Sequence, residues 1–216
     1  MAKTLKVDFH CHTSASPDCL VSPEELVPAC LRRNIDRIVI TDHNTIEGAL
    51  IAKSIHPDLV IVGEEIMTTR GELLAVFVTE AVPSGLTPIH AIQRLRDQGA
   101  FISVSHPFDW RSGAWNQEDL VEIVPLVDAI ETFNARCMKP WANRQAGEFA
   151  TKYLLPGTAG SDAHSIQEIG RCHVELAPFH DPAELRKRIA TGNINRKSSP
   201  IWVHLASRYA KISKSR

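Results

Sequence analysis

Short apolar runs alternate with amphipathic stretches along almost the whole chain. The runs at residues 5–9, 35–40, 59–62, 73–78, 101–104, 129–133 and, more weakly, 154–159 are strand-length and rich in β-branched residues, with 173–176 as a late extra strand. Helix starts are legible between them. Ser22-Pro23-Glu24-Glu25 is a capping box with proline at the first helical position, Thr87-Pro88 repeats the cap-plus-proline device, and Asp181-Pro182-Ala183-Glu184 opens a last helix that Gly192 closes. Pro28 conflicts with this pattern, because inside the first helix it should bend the helix or delay its start. About seven strand-helix units with no repeat or low-complexity linker predict one α/β domain over residues 1–216, built as a small, closed or nearly closed parallel barrel. An open doubly wound sheet is the alternative. Against it, no G-x-G-x-x-G cradle follows the first strand, and polar clusters follow many strands instead of gathering at one switch point.

Those polar clusters carry the chemistry. They are Asp8-Phe9-His10-Cys11-His12, Thr41-Asp42-His43, Gly63-Glu64-Glu65, Ser105-His106-Pro107 and Gly160-Ser161-Asp162-Ala163-His164, and most of them close an apolar run. Strand alternation puts His10 and His12 on one side with Asp8, and Phe9 and Cys11 on the other, so two imidazoles form a ready chelate. A histidine by itself is most often a surface or hydrogen-bonded core residue, and His56, His90, His173, His180 and His204 keep that reading, since none ends a strand beside an acid. Glu65 alone would serve equally as a helix cap. Together, His10, His12, His43, Glu65, His106, Asp162 and His164 are expected to converge on one metal site at the C-terminal ends of the strands. Imidazole with carboxylate suits zinc, manganese or ferrous iron, not calcium, and the absence of thiolate ligands argues against a structural zinc cage.

Composition removes several other classes. The 216 residues are 44% hydrophobic and 23% charged with a net charge of -1, so a full core is available and no global field recruits nucleic acid or anionic membrane. The one basic skew lies in residues 206–216, where Lys211, Lys214 and Arg216 read as a solvated tail. Five cysteines, at 11, 19, 30, 137 and 172, are odd in number and show no C-x-x-C spacing. With no basic-then-apolar leader and no membrane-length apolar run, they predict a cytoplasmic protein in a reducing compartment.

The motifs D-x-H-x-H-T, S-P-D-C-L-V-S-P-E-E, T-D-H-N-T-I-E-G, G-E-E-I, S-H-P-F-D, E-T-F-N-A-R (Glu131 to Arg136) and G-S-D-A-H, in this order from residue 8 to about 192, resemble the PHP (polymerase and histidinol phosphatase) family of metal-dependent phosphoesterases. The resemblance implies a distorted (β/α)7 TIM-like barrel and a site holding two or three ions of zinc, manganese or iron. It assigns His10, His12, Glu65 and Asp162 to one metal, has Glu65 bridge to a second bound by His106, and gives a third to Asp18, His43 and His164. One departure stands out. Many members carry a further histidine in the strand after the G-x-E motif; Leu74 falls about there, and Glu72, two residues earlier on the same face, is the candidate replacement.

The implied reaction is hydrolysis of a small phosphate ester, such as a nucleotide or a sugar or amino-alcohol phosphate. A divalent ion acidifies bound water from about 15.7 towards ~7, which provides hydroxide at neutral pH for in-line attack on phosphorus. Arg136, just beyond Asn134 at a strand end, is the candidate phosphate clamp, and Asn134 is the second candidate catalytic residue. Asp8 and Asp42 are expected to orient ligands from behind. Two other readings stand beside this one. An amidohydrolase also begins with H-x-H but in binuclear form needs a bridging lysine carbamate, and no strand here ends in lysine; a non-catalytic accessory domain would be fused or stripped of ligands, whereas eight of nine family positions are filled. Within phosphoesterases, an oligonucleotide exonuclease is less favoured, because neither a basic stripe nor an aromatic stacking series is present.

Overall fold

The computed structural model describes residues 4–110 and 113–215. Strands β1 (Leu5–Cys11), β2 (Arg37–Ile40), β3 (Val60–Met67), β4 (Glu72–Val76), β5 (Phe101–Val104), β6 (Ala129–Asn134) and β7 (Gly157–Gly160) stand side by side in chain order. Beyond β1 the sheet continues into β8 (His173–Leu176) and β9 (Asn193–Asn195). Val7, Phe9, Val39, Ile61, Val76, Phe101, Ala129 and Ala159 come from all seven of the first strands and share one buried cluster. A flat sheet could not bring them together, so the sheet is rolled. The seam lies between β1 and the chain leaving β7. There Asp162 N donates to His10 O at 2.8 Å and His12 N donates to Ala163 O at 3.0 Å, and Cys11 and Ala163 form a parallel bridge.

Helices cover the outside of this roll. α1 (Pro23–Arg32) and α2 (Glu47–Ile55) bury Leu26, Cys30, Ala49 and Ala52 against Ile38, Ile40 and Val60. α3 (Pro88–Asp97), α4 (Gln117–Ile123) and α5 (Pro140–Tyr153) bury Ile92, Leu95, Leu120 and Phe149 against Leu73, Ala75, Ile102 and Ile130. Each of the leucine, isoleucine and phenylalanine side chains among these, fully buried, contributes roughly 1.5–3 kcal/mol. The expected caps are in place: Ser22 and Glu25 exchange both bonds of the capping box, Thr87 accepts from His90 N, and Asp181 accepts from Glu184 N. α1 runs through Pro28 and gives up one backbone bond there. α6 (Pro182–Arg188) passes into a 3-10 turn (Ile189–Thr191) before Gly192.

Four features differ from the sequence expectation. β4 runs antiparallel to both β3 and β5, as the second arm of a hairpin with β3, so one strand of the barrel is reversed and no helix precedes it. A bulge in β1 between Asp8 and Cys11 breaks the simple alternation. Phe9 therefore joins the interior cluster with Val7 while Cys11 packs outside among the α1 and α2 residues. Residues expected as a solvated tail form a last helix, α7 (Val203–Lys214), pinned by Lys214 Nζ to the carbonyls of Ser14 and Ser16 at 2.5 and 2.6 Å; Arg216 lies outside the described residues. The short β9 was not anticipated.

Gly160 sits where the roll closes. A Cβ there would lie 2.2 Å from His10 Cβ and 2.7 Å from His10 N, so backbone must shift to admit it. Gly160→Ala should cost about 3 kcal/mol or more, a fall of roughly 6–12 °C in Tm by thermal unfolding. An unchanged Tm would mean the seam is not packed as described.

Candidate metal centre

The site collects on the rim where β1, β2, β3, β5 and β7 end. His10 and His12 close β1, His43 follows β2 and bridges to Glu65 of β3, His106 follows β5, and Asp162 and His164 follow β7. β4 runs the other way, so its first residue reaches this rim and its last does not. That residue is Glu72, buried, with Oε2 3.7 Å from His106 Nε2. Glu72 groups with His43 and Glu65. Leu74, about where the family's further histidine was expected, pairs with Glu65 across the hairpin. Asp162 adopts φ 51°, a left-handed conformation uncommon for a residue with a side chain.

All eight candidate ligands come together. Four donor atoms, His10 Nε2, His12 Nε2, Glu65 Oε2 and Asp162 Oδ1, show separations of 3.1 Å (His10–His12), 3.3 Å (His10–Glu65), 3.6 Å (His10–Asp162), 3.4 Å (His12–Glu65) and 3.2 Å (His12–Asp162). Donors that share one divalent ion at about 2.1 Å lie roughly 3 to 4 Å from their neighbours, the range of these five separations. Glu65 turns its other oxygen to His106 Nε2 at 3.2 Å, with Ser105 Oγ donating to it at 2.7 Å. Asp18 Oδ1 lies 3.2 Å from His164 Nε2 and 3.6 Å from His43 Nε2. Asp18 Oδ1 and Glu65 Oε2 are buried and accept no hydrogen bond. A divalent cation between the carboxylates and imidazoles would satisfy both oxygens, so the residues fit such an ion.

The groups behind the cluster fix its tautomers. His10 Nδ1 lies 3.1 Å from Glu131 Oε1, His12 Nδ1 lies 3.0 Å from Ser16 Oγ, and His164 Nδ1 lies 2.9 Å from the carbonyl of Asp162. Each contact holds a proton on Nδ1 and leaves the Nε2 lone pair facing the cluster. Burial, with His164 and His43 nearby, pushes His12 down to about 3, so its ring is neutral at pH 7. Burial opposes charge on His10 as well, but Glu65, Asp162 and Glu131 lift it well above the ordinary range. Burial likewise works against ionised Glu65 and Asp162, and the imidazoles around them hold both well below the usual carboxylate values. Burial and the Glu65 charge push Glu72 up to about 7.

Several supporting residues were not assigned a role from sequence. Glu131 holds His10 and also accepts from His106 N at 2.9 Å; its position inside E-T-F-N-A-R was the available signal. Ser16 passes the His12 contact on to Asp42 at 2.7 Å, and Asp42 also accepts from Thr13 N and Oγ1, both at 2.6 Å. Asp8, which the bulge turns from the expected shared face with His10 and His12, instead anchors the β7 exit by accepting from Ser161 N at 2.8 Å and Gly170 N at 3.1 Å. Asn134 donates to Asp162 Oδ2 and Glu131 Oε2, both at 3.2 Å, beneath the ligands. Arg136 lines the cavity but is only 7% exposed. Its guanidinium donates to Glu168 at 3.1 Å and to Ser207 Oγ at 2.5 Å.

Two family models match: the PHP domain over residues 8–94 and a PHP-associated region over residues 140–194. An uncharacterized protein of Methanocaldococcus jannaschii is 37% identical over 181 residues, covering 82% of this chain and 72% of its own. The chain belongs to the PHP family. Among solved structures, PsfC from Pseudomonas syringae is similar with a TM-score of 0.72 at 16% identity, over 99% of both chains. A candidate metal-dependent phosphoesterase of Bifidobacterium adolescentis matches with a TM-score of 0.61 at 16% identity, over 76% of this chain and 90% of its own. Likeness at this level of identity establishes the shared barrel-like fold.

Two variants test the centre. Glu131→Gln should weaken metal binding about 10- to 100-fold in a chelator competition, because the amide removes the negative charge behind His10 and leaves one acceptor oxygen where the carboxylate serves both His10 Nδ1 and His106 N. Glu72→Ala should release one ion under mild chelation while the ion at His10 and His12 stays, read by elemental analysis; full retention would remove Glu72 from the site.

Proposed function

We propose that this protein is a metal-dependent phosphoesterase acting on a small phosphate ester, such as a nucleotide or a sugar or amino-alcohol phosphate. The observation that carries the reading is the convergence of His10 Nε2 and His12 Nε2 with Glu65 Oε2 and Asp162 Oδ1, each imidazole 3.2 to 3.6 Å from both carboxylates, beside an open cavity. PHP membership and the phosphoesterase name of a structural neighbour support it. Bound ions, two or three of zinc, manganese or iron, would supply Lewis acidity and an acidified water. The side chains do the rest. His10, His12, Glu65 and Asp162 would hold one ion, Glu65, His106 and Glu72 a second, and Asp18, His43 and His164 a third, while Glu131, Ser16 and Asn134 keep those ligands aimed.

The cavity is about 300 Å³ and carries His204, Arg136, Arg208 and Lys211 on its walls, a size and charge suited to a small phosphate ester. Nucleic acid is less favoured, since the net charge is -1. The amidohydrolase reading has no lysine in the cluster to form a carbamate, and Glu65 occupies the bridging position. We place the protein in the cytoplasm as a single domain: its five cysteines are free and buried, and among the described residues no helix is long and apolar enough to cross a membrane.

The decisive variants are His10→Ala and Asp162→Ala. Each should lower hydrolysis of p-nitrophenyl phosphate or bis-p-nitrophenyl phosphate at least about a thousandfold while thermal unfolding stays cooperative, because the ligands lie at the barrel mouth and the core packs below. Parent-like rates in a folded variant would overturn the metal-dependent reaction.

A further inference from the structure

Helix α7 lies outside both stretches matched by the family models, 8–94 and 140–194. His204, Ser207, Arg208 and Lys211 fall at i, i+3, i+4 and i+7, one face of the helix, and all four line the cavity above the ligand cluster. Leu205, Tyr209 and Ile212 are exposed instead, while Val203 and Ala210 are buried. An amphipathic helix ordinarily turns its apolar stripe inward and its charges outward. Here a cationic stripe faces a cavity and large apolar side chains face solvent. Core burial does not account for that arrangement, whereas an anionic occupant of the cavity does.

The sequence reading gave the phosphate grip to Arg136, but both of its terminal nitrogens are already engaged. Nη1 meets both oxygens of Glu168 at 3.1 and 3.4 Å, and Nη2 meets Ser207 Oγ at 2.5 Å and His204 Nδ1 at 3.4 Å. Arg136 is a strut that sets the position of α7. Lys211, by contrast, is 63% exposed at its side chain and stands 3.7 Å from Asp18 Oδ2, beside the ligand cluster. Arg208 is exposed on the same wall and has no ion-pair partner among the described residues.

We propose that Arg208 and Lys211 grip the phosphoryl oxygens of the substrate, so that α7 is the cationic wall of the phosphate site. The proposal rests on the phosphoesterase reading for the identity of the anion. A guanidinium can take two phosphate oxygens at once and an ammonium acts as a mobile point charge, which are complementary ways to hold one group.

The test measures inorganic phosphate binding by calorimetry and ester hydrolysis on metal-loaded parent, Arg208→Ala, Lys211→Ala, Lys211→Arg and the outer-face control Tyr209→Ser, with metal content determined for each. Both alanine variants should weaken phosphate binding and raise KM about 10- to 100-fold, with kcat changed less and metal content held. Lys211→Arg should recover most of the loss, and Tyr209→Ser should match the parent. Unchanged phosphate affinity in both alanine variants, or a metal-loaded parent that binds no phosphate, overturns the proposal. A loss confined to Lys211→Ala and accompanied by metal loss also overturns it, because Lys211 would then act only through Asp18. If the parent binds phosphate through these residues but cleaves no ester, the phosphoesterase reading falls and the assignment of α7 stands.

Discussion

Glu65 is a carboxylate with almost no access to water, set among four imidazoles. One oxygen takes the Ser105 hydroxyl and faces His106; the other accepts no hydrogen bond and lies 3.0 to 3.4 Å from nitrogens of His43, His10 and His12. Burying such a charge is tolerable only when it is compensated nearby, and a divalent cation shared with neutral imidazoles is the compensation these donors suit. The barrel is arranged around that requirement. Its seam joins β1 to the β7 exit through His10, Asp162, Ala163 and His12. The backbone bonds that close the roll therefore also set His10, His12 and Asp162 beside one another, and Glu65 meets them from β3.

Much of this was legible in the chain because strand and site share one signal. An apolar run that ends in His or Asp specifies both a strand and which end of it meets the rim, and β1, β2, β5 and β7 were readable in that way. Reversal of a strand leaves no such mark. The run at Leu73 to Val76 reads as a strand in either direction, so only the pairing of Glu65 with Leu74 reveals that β4 enters the rim with Glu72 at its first residue. The bulge in β1 was hidden for a related reason: alternation predicts one face for Asp8, His10 and His12, and a single inserted residue sends Asp8 to Ser161 and Gly170 instead.

Helix α7 escaped the sequence reading because its pattern is inverted. Lysines and arginine among exposed apolar residues read as a solvated tail when the partner surface is unknown, and the contacts of Lys214 to Ser14 and Ser16, Lys211 to Asp18 and Arg136 to Ser207 all span long sequence separations. The same contacts explain why Arg136 looked like a phosphate clamp from its position at a strand end. It does sit at the cavity, but Nη1 is held by Glu168 and Nη2 holds the wall through Ser207. The outcome is a division of labour: the strand ends of the barrel supply the ligand cluster, and the last helix supplies cations above it.

The central claim is that these buried carboxylates and imidazoles hold divalent cations. The most direct measurement is anomalous diffraction at the manganese absorption edge from crystals of the protein loaded with manganese. The account predicts a peak about 2.0–2.3 Å from His10 Nε2, His12 Nε2, Glu65 Oε2 and Asp162 Oδ1 together. Saturated crystals with no peak among these four atoms, or with peaks only elsewhere on the molecule, would contradict it.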